Sequence, residues 1–146
     1  MRLVVQRVEK AKVVKVSDKK TVGKIGLGLF VLVGFKKGDS ENDVNSLAEK
    51  LSKLRVMSDD KEKMNLSVLD TKSEILVVSQ FTLYADTMGG NRPSFFKAEE
   101  PARAEKLYNY FIENLRQKGI KVETGSFGDY MQIEATLNGP VTIIYE

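Results

Sequence analysis

The chain has 146 residues, with 23 Lys and Arg against 20 Asp and Glu, and it contains no His and no Cys. This length suits one domain with its own hydrophobic core, and a net charge of +3 permits a polyanionic partner without requiring one. The missing residue types exclude a Ser-His-Asp triad, a Cys-His dyad, disulfides and an ordinary zinc site. No apolar run approaches the roughly 18 residues of a membrane span, and the N-terminus lacks a secretory pattern. We therefore expect a cytoplasmic protein without a membrane partner.

The first third of the chain is dominated by strand patterns. Residues 1–16 are rich in Val with polar residues between, and they predict one long bent strand or two short ones. Residues 21–25 and 28–35 predict two more strands, of which the second is central. A capping-box pattern at residues 40–43 predicts the start of a helix that ends near residue 54. The buried face of this helix is the stripe Val44, Leu47, Ala48, Leu51 and Leu54.

The segment Ile75 to Tyr84 is the strongest candidate for a functional site. Its four aliphatic residues predict a strand buried on both faces, and this strand continues into Ser79, Gln80 and Thr82. Buried hydrogen-bonding groups need partners, which are supplied either by the fold or by a ligand. The sequence therefore predicts either a satisfied strand end or a binding site here.

Two loops are predicted around this strand. Residues 59–63 form a charged loop with nothing in the sequence to suggest a metal site. Residues 86–96 form a long loop, because Gly-Gly and Arg-Pro pairs forbid regular structure there. Long loops inside compact domains are often functional.

The C-terminal part predicts one helix and three strands. The helix covers residues 101–118, and strands follow at residues 120–124, 130–137 and 141–145. The last two strands are separated by Asn138-Gly139-Pro140, which we interpret as an unusual hairpin tip. Base rates alone favour a trans Gly139–Pro140 bond. The pattern as a whole predicts a single α+β domain over residues 1–146, with a curved, barrel-like sheet and two main helices packed outside.

Five fragments stand out in the chain: Met1–Val8, Ser79–Leu83, Asn91–Phe95, Gly125–Gly128 followed by Met131, and Gly139–Thr142. In this order and at this spacing they resemble the D-aminoacyl-tRNA deacylase family, and the likeness covers essentially the whole chain. The family usually has Asn two positions before the Gly of its second signature motif, whereas this chain has Leu137 there and Asn138 next.

The resemblance implies a homodimeric esterase, without cofactor or metal, that acts on the 3′ end of aminoacyl-tRNA. It would hydrolyse the ester of a D-amino acid, or of wrongly placed glycine, at the terminal adenosine. In the family a cis Gly-Pro pair reaches into the partner's pocket and rejects L-amino acids, and an arginine braces it. Carried over, the chiral-selection and substrate-binding residues are Gly139, Pro140, Arg7 and Met131. The pocket residues, whose backbone N–H groups contact the substrate, are Ser79, Gln80, Phe81 and Thr82.

Two mechanisms are compatible with the resemblance. Thr82 acts as nucleophile, or the pocket orients water with help from a ribose hydroxyl of the tRNA. We favour the second, because no residue is an evident base for Thr82. The alternatives are a non-catalytic RNA-binding module, a structural oligomer, or an editing domain that acts on mischarged L-seryl-tRNA, like the one attached to archaeal threonyl-tRNA synthetases. Candidate contacts to the acceptor stem are Lys10, Lys12, Lys36, Lys37 and Arg92.

Overall fold

The computed structural model describes residues 1–146, and it contains eight strands, three α-helices and one 3₁₀ helix. The strands are β1 (Arg2–Lys15), β2 (Thr21–Ile25), β3 (Gly28–Gly34), β4 (Met57–Ser58), β5 (Met64–Leu66), β6 (Glu74–Ser79), β7 (Val122–Thr124) and β8 (Met131–Tyr145). The helices are α1 (Glu41–Ser52), α2 (Val68–Thr71), the 3₁₀ helix (Phe81–Tyr84) and α3 (Pro101–Gln117).

The long strand β1 organises a six-stranded sheet. The strand order is β2-β1-β3-β6-β7, and β8 pairs along the other edge of β1. Residues 2–8 of β1 pair with β3 and residues 11–14 pair with β2, so the strand bends between two neighbours. The β3–β6 and β6–β7 pairs are parallel. Because β2 also lies against β7, the sheet forms the nearly closed barrel that the sequence predicted.

The two main helices pack outside the sheet, as predicted. The larger core cluster lies between the sheet and both helices and includes the fully buried Phe111, Leu115 and Leu51. Ser40 and Asp43 form the predicted capping box at the start of α1, although this helix ends at Ser52 rather than near residue 54. No helix of the protein has the length and apolarity that crossing a membrane requires.

The sequence did not predict the β4–β5 hairpin or the short helix α2. The charged residues 59–63 form the tight turn of this hairpin, in which the Asp59 carboxylate accepts hydrogen bonds from the N–H groups of Lys61 (2.9 Å) and Lys63 (3.0 Å). Strands of two and three residues have too little periodicity to be recognised in a sequence.

The predicted C-terminal hairpin is wrong, since residues 131–145 form one strand. Both flanking runs pair antiparallel with the same strand, β1, so the chain keeps its direction through residues 138–140. Leu137 stands opposite Val8 and Thr142 opposite Gln6, so that four residues of β8 face a single residue of β1. These extra residues form a bulge that protrudes from the sheet. Turn-forming residues therefore mark a bulge here rather than a change of direction.

Candidate functional site

The candidate segment changes structure at its polar residues. β6 ends at Ser79, and the 3₁₀ helix begins at Phe81, so the predicted strand through Tyr84 is too long. Ser79 and Gln80 are half-buried and Thr82 is exposed, so the expected burial of these groups is also wrong. The Gln80 N–H donates to the Val33 carbonyl (2.7 Å), and its side-chain amide donates to the Thr82 hydroxyl (2.5 Å). The polar groups therefore lie at the surface, where a substrate can reach them.

Two backbone N–H groups at the start of the 3₁₀ helix are left without a partner in the helix. The first bond of this helix runs from the Leu83 N–H to the Gln80 carbonyl (3.3 Å). The N–H groups of Phe81 and Thr82 precede it, and the first donors of a helix have no acceptor within the helix. They are thus available to a carbonyl oxygen or an oxyanion from outside the chain.

Contacts from β1 and β3 fix the position of this 3₁₀ helix. A Cβ atom on Gly34 would lie 2.9 Å from the Gln80 carbonyl oxygen, so only glycine allows the segment to approach β3 this closely. Arg2 donates to the Leu83 carbonyl (2.6 Å), and its guanidinium lies 5.0 Å from the centre of the Tyr84 ring. Burial raises the pKa of Tyr84 to about 12, so this ring is a neutral phenol that supports the helix and takes no proton.

An open pocket of about 730 Å³ lies beside the 3₁₀ helix. Among the predicted site residues, Ser79, Gln80, Phe81 and Met131 line it, and Thr82 does not. Met131 reaches it because its sulfur packs against the backbone of Gly125 and Ser126. The opposite walls come from the loop before α3, from the start of α3 and from the segment before β8; their aromatic members are Phe95, Phe96, Phe127 and Tyr130.

Every carboxylate that lines the pocket has a cation beside it. Glu99 pairs with Arg103 (3.3 Å), Glu100 with Lys37 (3.9 Å) and Asp129 with Lys15 (2.9 Å). The Asp129 pKa is lowered, first by a hydrogen bond from the Ser126 hydroxyl and then by Lys15. A carboxylate held in its ionised form by a hydroxyl and an ammonium group is a poor base. The Thr82 hydroxyl contacts an amide NH₂, which takes no proton either.

The residues Gly139 and Pro140 form the exposed tip of the β8 bulge. Their peptide bond is cis, against the base rate but as the family resemblance implied. Gly139 has φ of +125°, a backbone conformation that L-residues rarely adopt. The tip therefore presents bare backbone and a proline ring to the surroundings of the molecule.

Arg7 braces this tip. Its Nε donates to the Asn138 carbonyl (3.2 Å), and its Nη1 donates to the Val56 carbonyl (2.7 Å) and to the Ser58 hydroxyl (3.3 Å). One guanidinium thus ties the bulge to the β4 strand. Leu137, which stands where the family usually has Asn, pairs with Val8 of β1. Asn138 supplies the carbonyl oxygen to which Arg7 donates.

Within one chain the predicted site residues lie in two separate places. Gly139 and Pro140 are eight or nine residues beyond Met131 along β8, which is about 25–30 Å of strand, and neither they nor Arg7 line the pocket. The sequence also did not identify the aromatic lining. Only the resemblance of residues 91–95 and 125–128 to family fragments pointed near it, because residues on loops have no periodicity that indicates a shared wall.

Comparison with known proteins gives a consistent result over the whole chain. The family profile described as D-Tyr-tRNA(Tyr) deacylase matches residues 4–146. Proteins named D-aminoacyl-tRNA deacylase are 52% identical in Thermotoga petrophila (all of this chain, 97% of the relative) and 53% identical in Bacillus licheniformis (all of this chain, 98% of the relative).

Two solved structures share the fold. A structure titled c-Myc DNA Unwinding Element Binding Protein superimposes with a TM-score of 0.92 at 39% identity, covering all of this chain and 98% of the other. A structure described as a probable eukaryotic D-amino acid tRNA deacylase gives a TM-score of 0.85 over 99% of this chain and 97% of the other. At 16% identity, the second likeness shows the fold alone.

Proposed function

The chain belongs to the D-Tyr-tRNA(Tyr) deacylase family, and from this membership we propose that its pocket hydrolyses the ester between a D-amino acid and the 3′-terminal adenosine of tRNA. The protein is a D-aminoacyl-tRNA deacylase, a carboxylic ester hydrolase that releases free amino acid and tRNA. The observation that carries the proposed site is the pair of N–H groups without a partner at the start of the 3₁₀ helix, where Phe81 lines the open pocket and Thr82 follows it. The reaction takes place in the cytoplasm on tRNA that a synthetase has mischarged.

The site works by positioning and by stabilising charge. An aminoacyl ester is already activated, so positioning of the reactants and donors aimed at the developing oxyanion supply much of the rate. The N–H groups of Phe81 and Thr82 bind the ester carbonyl oxygen, on which negative charge develops when water adds to the carbonyl carbon. The tetrahedral intermediate then collapses, the ribose oxygen leaves and takes a proton, and the free carboxylic acid is released. A vicinal ribose hydroxyl of the substrate orients the water, because the pocket offers no base of its own.

Replacement of Thr82 by Ala tests this choice of mechanism. We expect the variant to keep most of its activity on D-Tyr-tRNA, because the substitution removes the hydroxyl and leaves the backbone N–H in place. Single-turnover rates of the wild type and the variant provide the measurement. Trapping of a D-tyrosyl ester on Thr82 by acid quench and mass spectrometry would instead establish a nucleophilic threonine.

A homodimer brings together the two parts of the site that are far apart in one chain, the pocket and the Gly139–Pro140 tip. β8 pairs with β1 along one edge only, so its other edge is an unpaired row of 15 residues with exposed Ile133, Leu137 and Ile144. A long apolar edge of this kind is typically covered by another chain. In the dimer the protruding Gly139–Pro140 tip of one subunit enters the pocket of the other. There it occupies the space that the side chain of an L-amino acid would need.

Glycine esterified to tRNA is also a substrate under this arrangement. A filter that works by excluding the side chain of the L-enantiomer has nothing to exclude in glycine, which lacks a side chain. The same argument makes recognition of the D side chain weak, because the contacts are to the backbone of the amino acid. Release of glycine from Gly-tRNA by the purified protein would support this extension.

Replacement of Arg7 by Lys is expected to weaken chiral selection. The ammonium group of lysine cannot reproduce the fork that joins the Asn138 and Val56 carbonyls, so the tip loses its brace. Two charge-assisted hydrogen bonds are worth about 3 kcal/mol, which corresponds to roughly a hundredfold fall in the ratio of kcat/KM for D-Tyr-tRNA over L-Tyr-tRNA. Lys53→Arg, on an exposed helix end, is the matched control. An unchanged ratio in Arg7→Lys would show that the brace has no part in selection.

The experiment that separates hydrolysis from binding alone is the release of free D-tyrosine. Purified protein at catalytic concentration is expected to convert D-Tyr-tRNA into D-tyrosine and tRNA with an intact 3′ end, over many turnovers. An RNA-binding module would retain the ester. An editing domain of the rival type would hydrolyse L-Ser-tRNA instead.

A further inference from the structure

Two exposed aromatic rings stand at the mouth of the pocket. Phe96 is 61% exposed and Tyr130 is 82% exposed, and both belong to the pocket wall. Large aromatic side chains usually bury most of their surface, so two that stay open beside one cavity indicate a ligand surface. Phe81, also exposed, differs from them because its ring packs edge-on against Phe95, with 5.0 Å between the ring centres. The proposed hydrolysis at residues 79–82 therefore does not explain why Phe96 and Tyr130 are exposed.

A lysine lies over the ring of Phe96, and another pairs with the residue next to Tyr130. The Lys97 ammonium lies 5.4 Å from the centre of the Phe96 ring and pairs with Asp86 (2.8 Å). Lys15 pairs with Asp129, the residue that directly precedes Tyr130 (2.9 Å). An aromatic ring with a neighbouring cation is the arrangement with which proteins bind single-stranded nucleic acid, since the base stacks on the ring while the phosphate lies near the cation.

We propose that Phe96 and Tyr130 stack against the unpaired nucleotides that precede the terminal adenosine of the tRNA. The inference rests on the proposed function, because the ester in the pocket fixes where the 3′ end must leave it. Base-paired RNA hides its base faces, so rings of this kind fit only the single-stranded end. Stacking provides most of this contact, since the lysines near the rings are already paired with carboxylates and add little net charge.

The test compares two substrates that share the ester and the terminal adenosine and differ in whether the rest of the tRNA, including those nucleotides, is attached. One is D-Tyr-tRNA, and the other is D-tyrosyl-adenosine, the same ester released from it by ribonuclease. Phe96→Leu and Tyr130→Leu are each expected to lower the ratio of kcat/KM for the tRNA ester over the adenosine ester by about tenfold, the usual value of one stacked base. Phe96→Tyr and Tyr130→Phe, which keep a ring, are expected to keep the wild-type ratio. Leu27→Ala, an exposed apolar position in the turn between β2 and β3, is the control.

Three results would overturn the inference. An unchanged ratio in both leucine variants would show that the rings contact no upstream nucleotide. An equal fall for both substrates would place the rings on the adenosine or the amino acid. Dissociation of the leucine variants into monomers, measured by light scattering, would show that the partner subunit covers the rings. If wild-type protein hydrolyses neither substrate, the proposed function itself fails, which is a distinct outcome.

Discussion

Replacing Phe81 by Pro is expected to lower kcat for D-Tyr-tRNA by about a hundredfold to a thousandfold, the usual effect of removing one donor to a developing oxyanion. Proline has no N–H, so the substitution deletes one of the two backbone donors at the start of the 3₁₀ helix. The fold tolerates it, because the Phe81 N–H makes no bond within the helix and a proline at the first helical position is favourable. Gln80 is extended, with φ −145° and ψ 90°, and a residue before proline prefers the extended region.

Phe81→Ala is the matched control for this experiment. It removes the same ring, and with it the edge-on contact with Phe95, but it keeps the N–H. The difference in kcat between the alanine and proline variants therefore isolates the backbone donor. Thermal unfolding of both variants verifies that the difference does not come from loss of fold. Equal activities would show that the Phe81 N–H does not bind the substrate, and that the oxyanion lies elsewhere.

Two defective variants, one in the tip and one in the pocket, are expected to form one complete site in a heterodimer if the site is shared between subunits. Arg7→Glu places a carboxylate against the carbonyls of Asn138 and Val56 and displaces the tip, whereas Phe81→Pro damages the pocket. In a heterodimer of the two variants, one site combines the undamaged pocket of the Arg7→Glu chain with the undamaged tip of the Phe81→Pro chain. Because the other pocket of this heterodimer is damaged, the purified heterodimer is expected to hydrolyse D-Tyr-tRNA at about half the wild-type rate and to spare L-Tyr-tRNA, whereas the Arg7→Glu homodimer hydrolyses both esters.

A pair of variants with defects in the same half controls for unspecific rescue. Gly34→Val forces the 3₁₀ helix away from β3, because even a Cβ at this position meets the Gln80 carbonyl oxygen. Co-expression of Gly34→Val with Phe81→Pro is expected to give no recovery, since no combination yields a sound pocket. Hydrolysis of both D-Tyr-tRNA and L-Tyr-tRNA by the purified heterodimer of Arg7→Glu and Phe81→Pro would mean that each chain builds its site from its own tip.

The sequence predicted the sheet and the main helices because these elements have strong periodicity. β3, α1 and α3 carry continuous or 3.6-residue apolar patterns, and the structure places them as expected. The bulge at residues 138–140 was mistaken for a hairpin, because Asn-Gly-Pro has the same local chemistry in both. Only the pairing of both flanking segments with β1, which is distant in the sequence, distinguishes a bulge from a hairpin.

The sequence singled out the segment at residues 79–82 but could not give its arrangement. The motif at residues 79–82 was recognised, yet its role as the end of a strand and the start of a 3₁₀ helix depends on Gly34 and Arg2, which lie far away in the sequence. The aromatic wall comes from loops on two sides of α3. No local pattern in the sequence shows that such loops meet.

The most direct test of the central claim is the hydrolysis of D-Tyr-tRNA and L-Tyr-tRNA by the purified protein, side by side and with EDTA present. We predict fast loss of the D ester while the L ester persists, because a pocket of backbone donors needs no metal and the tip excludes the L side chain. Loss of both esters at the same rate, or of neither, would contradict this account of the site.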